Sequence, residues 1–420
     1  MVKILFMHPD LGIGGAERLV VDAALALQKS GHSIQFLVNH HDPTHCFEET
    51  RDGTLKVQTV GDWLPRSIFN KFTALCAYIR MLYATLYTTF VLSREENFDV
   101  IFVDSISIGI PFLKLATGSP KILFYCHFPD MLMAPQDGGA IRKWYRFPLN
   151  WAEEFTTGKA DVILVNSKFT RRVFKETFKR ISDMPAVLYP SLNTKYFDNT
   201  IVIDADGDNL KLKSDSVVFL SINRFERKKN IALALKAFKE LEKHVSKANF
   251  ERCHIIVAGG YDKRVLENVE HFEELEHLAD ELGIMNKCTF LRSPSDKFKL
   301  WLLKRCDTLL YTPSNEHFGI VPIEAMYMKK PVIACNTGGP TETVVHESTG
   351  FLCEPAKEYF SRSMARFVIG DKNLGENMGE KGRKRVQQHF SFEAFTEKLN
   401  TIIGELLACK GAAENGKKNE

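Results

Sequence analysis

Thr308-Leu309-Leu310-Tyr311-Thr312-Pro313-Ser314-Asn315-Glu316-His317-Phe318-Gly319-Ile320-Val321-Pro322-Ile323-Glu324-Ala325 reads as a strand, a loop and the start of a helix. The short apolar run has the pattern of a buried parallel strand, and helical character begins near Gly319. A strand that hands its chain to a helix across a short loop is the repeating unit of a doubly wound α/β sheet. Glu316 falls in the loop, and Glu324 stands eight positions on, in the helix near its start. Exposed N–H groups at such a helix start favour an anion, and a diphosphate fits there. Glu316 can then reach sugar hydroxyls and Glu324 a ribose, an arrangement that suits a sugar nucleotide. The plainer alternative is a solvated helix carrying two ordinary surface carboxylates.

Working outward, the same unit recurs in both directions. Val2–Met7 reads as a first buried strand, followed by a helix with Leu19, Val20, Ala23, Ala24 and Leu27 at helical spacing. Ser33–Val38, Val100–Val103, Ile122–Tyr125 and Val162–Val165 are further strand candidates separated by helical stretches. The pattern pauses at Tyr189-Pro190-Ser191 and stays polar to about Ser214. It restarts with Val217–Ile222, His254–Ala258, Thr289–Leu291, Thr308–Tyr311 and Val332–Ala334. A chain of 420 residues exceeds what one core usually organises, so two domains are expected. Residues 1–190 make the first, 191–215 a linker and 216–388 the second, with 389–409 as a terminal helix and 410–420 as a flexible tail. Ligands of doubly wound sheets bind beyond the carboxyl ends of the strands, here in a cleft between the two domains.

Composition removes several classes. Hydrophobic residues make up 45% and charged ones 25%, an ordinary soluble balance. A net charge of +3 on so long a chain argues against a dedicated nucleic-acid binder. The nine scattered cysteines include no C-x-x-C pair, which fits a reducing compartment better than a disulfide scaffold. The strand-like Val2-Lys3-Ile4-Leu5-Phe6 leaves no room for a signal peptide. No Asn-x-Ser/Thr sequon occurs, in keeping with a cytosolic chain.

Several motifs fall at strand ends. Gly12-Ile13-Gly14-Gly15 follows the first strand and lets backbone approach a ligand closely. Glu17 stands where the third glycine of a dinucleotide fingerprint belongs, which counts against a dinucleotide-dependent oxidoreductase. The basic loop Asn223-Arg224-Phe225-Glu226-Arg227-Lys228-Lys229-Asn230 follows Val217–Ile222. Arginine grips a phosphate bidentately and lysine adds a point charge, and the strand-end position favours phosphate binding over a merely solvated run. His127 lies in Tyr125-Cys126-His127-Phe128-Pro129-Asp130, again past a strand; a lone histidine is more often structural than catalytic. Gly259-Gly260 and Gly338-Gly339-Pro340 close strands and fit either cleft lining or tight turns. Two apparent metal motifs fail on spacing. His40-His41-Asp42 with His45-Cys46 lacks a second half, and Asp204-Ala205-Asp206-Gly207-Asp208 carries its glycine at the wrong place for a calcium loop.

Taken together, the Gly-rich first loop, His127, the Arg224/Lys229 pair and the Glu316-to-Glu324 spacing resemble the family 4 retaining glycosyltransferases of the GT-B fold. The resemblance runs essentially the whole chain. Within that family His8-Pro9-Asp10-Leu11-Gly12, Gly61-Asp62-Trp63-Leu64-Pro65, Phe124–Asp130 and Tyr311–Gly319 resemble the mannosyltransferases of dolichol-linked oligosaccharide assembly. The resemblance implies two Rossmann-like doubly wound domains facing each other across a cleft. It implies transfer of mannose from GDP-mannose to Man-GlcNAc2-diphosphodolichol, through an α-1,3 and then an α-1,6 linkage. The alternative is a mannosyltransferase of the same pathway acting on a longer glycan. A non-catalytic sugar-nucleotide-binding subunit would be expected to have lost Glu316 or His127, and both are present.

Carried onto this sequence, the resemblance has Arg224 and Lys229 hold the donor diphosphate. Glu316, with the backbone of Phe318, Gly319 and Ile320, holds the mannose and phosphate, while Glu324 takes the ribose. Leu291 and Arg292 lie along the guanine, His127 contacts the sugar from the other domain, and Gly12, Gly14 and Gly15 form an acceptor or phosphate loop. Glu316, His127, Arg224 and Lys229 are the catalytic candidates, and a final helix of about Phe392–Leu407 crosses back to the first domain. No tightly bound metal or other cofactor is implied, a divalent cation being at most stimulatory. The implied partners are GDP-mannose, the dolichol-diphosphate-linked glycan, the cytosolic face of the endoplasmic reticulum membrane and other mannosyltransferases of the pathway, with no nucleic acid.

One segment bears on the membrane. Phe72–Ser93 is apolar but interrupted by Arg80, and its longest charge-free part is short of the about 20 residues a spanning helix needs. Tyr78, Tyr83, Tyr87, Arg66, Lys71 and Arg80 suit a helix lying in the interface, against the alternative of an amphipathic helix packed in the first domain.

Overall fold

The computed structural model describes residues 1–68, 72–133, 140–200, 210, 212–371 and 373–417. Lys71 and the acidic run Asp204–Asp208 lie outside them. The chain forms two compact units, Met1–Ser191 together with Phe392–Glu420, and Leu192–Ser391.

The first unit is built on seven parallel strands: β1 (Lys3–Asp10), β2 (Ser33–His40), β3 (Lys56–Thr59), β4 (Val100–Asp104), β5 (Lys121–Cys126), β6 (Val162–Val165) and β7 (Ala186–Val187). They lie in the order β3-β2-β1-β4-β5-β6-β7. The central strands are buried almost throughout, as parallel strands covered on both faces must be. Phe6 on β1 is in register with Phe36 on β2 and Phe102 on β4, and its ring stacks on theirs at 5.1 and 4.7 Å. The helix Gly15–Lys29 covers one face with Leu19, Val20, Ala23, Ala24 and Leu27.

The second unit repeats the plan with β8 (Val217–Ile222), β9 (Cys253–Gly259), β10 (Cys288–Arg292), β11 (Thr308–Tyr311), β12 (Val332–Cys335) and β13 (Gly350–Cys353). Its order is β10-β9-β8-β11-β12-β13, all parallel. In each sheet the first strand has its successor on one side and the fourth strand on the other. The points where the winding reverses are therefore β1/β4 and β8/β11, where doubly wound sheets bind ligands.

Three expectations are corrected. The stretch expected as linker contains the helix Thr194–Asn199, which belongs to the second unit. Its Asp198 accepts hydrogen bonds from the Tyr327 hydroxyl at 2.6 Å and from Arg383 at 2.7 Å. The last helix runs Phe392–Lys417, into the stretch 410–420 expected as a flexible tail. Its Phe395, Leu399, Ile402, Ile403 and Leu406 join the core of the first unit. Finally, Phe72–Ser93 does not lie open to an interface as a whole. Its helix Thr73–Tyr87 and the π turn Thr88–Leu92 bury Tyr78 and Arg80 in the first unit. Arg80 donates to the Asn39 carbonyl at 3.0 Å and to Asp62 at 3.2 Å, which is how an arginine is tolerated there. The run Thr73–Glu95 is long and apolar enough to cross a membrane, but half of its most apolar window is buried in this unit. Tyr83 packs edge-on to Trp63, and the Tyr87 hydroxyl accepts from Gln58.

Candidate active site

In the second unit, the loop after β8 turns through a short helical segment, Arg227–Lys229, and then Asn230 in the left-handed region. The Thr312 hydroxyl, just past β11, donates to the Lys229 carbonyl at 2.9 Å and pins this loop to the neighbouring strand end. Lys229 Nζ then meets the Glu316 carboxylate at 2.5 Å, although the two stand 87 positions apart in sequence. Both side chains keep about a fifth of their surface exposed, so the pair is partly desolvated and still reachable. Tyr311, buried at the end of β11, also hydrogen-bonds Glu316; burial first, then the Glu316 charge, pushes its hydroxyl well above the usual tyrosine range.

The loop carrying Glu316 is held from below by Gly338-Gly339. A Cβ on Gly338 would stand 2.5 Å from the Glu316 carbonyl oxygen, and one on Gly339 would stand 2.2 Å from that of Phe318. Gly339 N–H donates to the Glu316 carbonyl at 2.7 Å. Close backbone approach explains these glycines better than turn-making alone. Gly319 has a φ of 84° and opens the helix Ile320–Tyr327, with Phe318 buried and Ile320 exposed.

The other candidates in this unit differ in how far they are engaged. Glu324, mostly buried, meets Lys299 Nζ at 2.8 and 2.6 Å from its two oxygens. Lys299 comes from the helix Asp296–Arg305 and was not singled out by sequence; a lone lysine 25 positions away carries no local signal. Arg224 is 70% exposed, its nearest acid being Glu226 at 3.8 Å, so it is available to a ligand. Arg227, by contrast, is spent on Glu270 and Glu274, and Lys228 on Glu226. Arg292 follows Leu291 at the end of β10 with its guanidinium over the rings of Tyr261 and Phe272 at 5.2 and 5.0 Å.

In the first unit the ends of β1, β4 and β5 bring together a cluster that sequence reading missed in part. Asp104, fully buried at the end of β4, lies 2.8 Å from His8 Nδ1 and 2.8 Å from His127 Nε2 through separate oxygens. Burial opposes ionisation of Asp104, but His127 and then His8 outweigh it and hold the carboxyl far below its usual range. Burial likewise opposes a charge on His8, yet Asp104 and Glu17 raise it to about 9. His127 Nε2 faces Asp104, so Nδ1 is the ring nitrogen turned away from the carboxylate. The signal available in sequence was an acid closing the apolar run Val100-Ile101-Phe102-Val103, beside the switch point.

Two neighbours shape this corner. Glu153 is buried on the helix Ala140–Thr157 and accepts from the N–H groups of Asp130 and Met131 at 2.6 and 3.1 Å, fixing the loop after His127. Burial pushes its carboxyl up to about 7. A Cβ on Gly14 would meet the Glu17 carboxylate, so one side of the Gly12–Gly15 loop is acidic and suits hydroxyls better than phosphate; Gly15 opens to free space. His40 lies 2.9 Å from Asp62 and His41 3.1 Å from Thr50. Among the described residues no His, Cys, Asp or Glu group has a metal-holding arrangement.

With this geometry in place, comparison with known proteins decides the family. Residues 13–196 match Glycosyltransferase Family 4 and residues 202–385 match Glycosyl transferases group 1. The chain is 52% identical to the alpha-1,3/1,6-mannosyltransferase ALG2 of Homo sapiens, with 96% of both chains covered. The chain belongs to this mannosyltransferase family. The ALG2 of Rhizomucor pusillus is 47% identical over 96% of this chain and 92% of its own. Sucrose-phosphate synthase from Thermosynechococcus elongatus superposes with a TM-score of 0.76 at 19% identity, covering 97% of this chain and all of that one. The fold is GT-B, and the protein is a glycosyltransferase.

Proposed function

We propose that this enzyme transfers mannose from GDP-mannose to Man-GlcNAc2-diphosphodolichol, first through an α-1,3 and then through an α-1,6 linkage, with retention at the anomeric carbon. The observation that carries this reading is the Lys229–Glu316 pair at the β8/β11 switch point, held by Tyr311, Thr312 and Gly338-Gly339. Lys229 and the exposed Arg224 hold the donor diphosphate, and Glu316 with the Phe318–Ile320 backbone holds the mannose. Glu324, paired with Lys299, accepts from the ribose hydroxyls, and Leu291-Arg292 borders the guanine. His127 presents Nδ1 to the transferred sugar, and Gly12, Gly14 and Gly15 line the acceptor side.

In the reaction the bond from the mannose anomeric carbon to the diphosphate oxygen breaks as the acceptor oxygen bonds to the same face. The acceptor hydroxyl proton passes to the departing phosphate, so GDP and the lengthened glycan are the products and no protein nucleophile is needed. Lys229 and Arg224 stabilise the charge that builds on the leaving diphosphate. No resident metal is required, and a divalent cation at most adds to that compensation. Because the acceptor is a lipid, the enzyme works at the cytosolic face of the endoplasmic reticulum membrane, beside other mannosyltransferases of the pathway.

Mass spectrometry of products from GDP-mannose and a lipid-linked Man-GlcNAc2 acceptor, with linkage-specific mannosidases, tests the whole reading. Two successive additions, α-1,3 then α-1,6, are expected, and a product confined to one linkage contradicts it. The ribose role has its own test. Glu324→Gln is expected to weaken GDP and GDP-mannose alike by about tenfold, since a charge-assisted hydrogen bond contributes about 1.5–3 kcal/mol. Unchanged GDP affinity by calorimetry in a folded variant would leave Glu324 as a structural partner of Lys299.

A further inference from the structure

The helix Ala140–Thr157 turns Trp144, Phe147, Trp151 and Phe155 to solvent, at 85%, 74%, 49% and 47% exposure. Spacings of three, four and four put them in one stripe along the helix. Trp151 and Phe155 stack at 5.3 Å, and Lys159 Nζ lies over the Phe155 ring at 5.1 Å. At the other end, Tyr145 touches the exposed Phe72 ring at 5.2 Å, and Leu132 and Met133 are exposed on the adjoining segment. So much contiguous aromatic surface is more than a soluble protein leaves uncovered without use.

Charge on this helix is segregated. Its acids face the protein: Glu153 is buried, and Glu154 accepts from the Arg180 N–H at 2.7 Å. Lys159, just past the end of the helix, lies against the stripe. Tryptophan and phenylalanine bordered by a cation, with Glu153 and Glu154 both engaged by backbone N–H groups, match a surface of acyl chains and anionic headgroups.

We propose that this stripe is the face by which the enzyme lies on a bilayer, its aromatic rings entering the headgroup boundary and Lys159 meeting lipid phosphates. The Phe72–Ser93 helix is the less suited face, since its Tyr78 and Arg80 are buried. The inference rests on the lipid-linked acceptor of the proposed function.

The test is flotation with vesicles of phosphatidylcholine containing a minor share of phosphatidylinositol, comparing the full chain with the Trp144→Ser/Phe147→Ser variant. The variant is expected to bind roughly tenfold or more weakly, with unchanged thermal unfolding and GDP affinity. Sedimentation velocity without vesicles covers the other occupant. A wild-type dimer that the variant dissociates, with equal vesicle binding, would make the stripe an interface between copies and overturn the proposal. Wild-type protein that does not float, or a folded variant that floats equally, also overturns it. Should the variant unfold, Trp144→Lys alone replaces it, since that side chain is almost fully exposed. Mannose transfer to a water-soluble, short-chain acceptor separates the two readings: failure there removes the proposed function, while flotation still decides the docking face.

Discussion

Lys229→Ala is expected to lower turnover efficiency by ten- to a hundredfold or more, and to do so for both mannose additions. A charge-assisted contact to the leaving diphosphate contributes about 1.5–3 kcal/mol, and each 1.4 kcal/mol or so is tenfold in rate. The structure adds a second loss. Lys229 is the cation at 2.5 Å from Glu316, so its removal leaves a partly buried carboxylate beside Tyr311 without its counter-charge. Arg224→Ala removes only the proposed phosphate contact, because its nearest acid is 3.8 Å away, and is expected to cost less. Arg227→Ala is expected to be nearly silent for catalysis, since Arg227 already serves Glu270 and Glu274. Initial rates across GDP-mannose concentrations, with single- and double-mannosylated acceptors, measure this. Wild-type rates in Lys229→Ala would remove the pair from the chemistry, and loss of the first linkage only would point to separate donor sites.

Much of this arrangement was legible because strand-to-helix units leave strong local marks. The apolar runs that became β1, β2, β4, β5, β6, β8, β9, β11 and β12 are largely buried, so hydrophobicity alone traces them, and the half-buried edge strand β10 still carries Phe290 and Leu291. The strands that sequence reading lacked are β3, β7 and β13. β3 is Lys-Val-Gln-Thr and β7 only Ala186-Val187, both at sheet edges where burial is incomplete. At the site, Lys229 and Glu316 were readable as strand-end residues, but their pairing was not, because parallel β8 and β11 bring distant segments together. Lys299 was silent for the same reason, and Asp104 showed only as an acid closing an apolar run. Their significance depends on a partner delivered by another strand or helix. Arg80 shows the converse. It looked like an interfacial cation in an apolar run, whereas tertiary hydrogen bonds to Asn39 and Asp62 bury it.

Asp104→Asn is expected to be the most disruptive change in the first unit. Asp104 is a buried anion between two imidazoles, and removing one partner of such a cluster typically costs about 3–5 kcal/mol. Turnover is expected to fall about a hundredfold, because His127 loses the carboxylate that faces its Nε2 and turns Nδ1 outward. A merely structural defect is distinguished by two readouts. GDP affinity is expected to stay unchanged, since the residues proposed to hold the nucleotide all belong to the second unit. The pH dependence of stability is also expected to change, with a definite sign. His8 binds its proton more tightly folded, at about 9, than its ordinary value of 6.5. The stability it contributes is therefore complete below 6.5 and is lost as pH rises through 9. Without the Asp104 charge, burial dominates at His8, the folded value drops, and that alkaline loss shrinks or disappears. Hydrogen exchange of the Val100–Asp104 amides between pH 6 and 9, corrected for intrinsic exchange, reads this unit directly. An Asp104→Asn protein that keeps both wild-type turnover and the wild-type alkaline slope would show that the His8–Asp104–His127 cluster neither carries the charge nor orients the histidine.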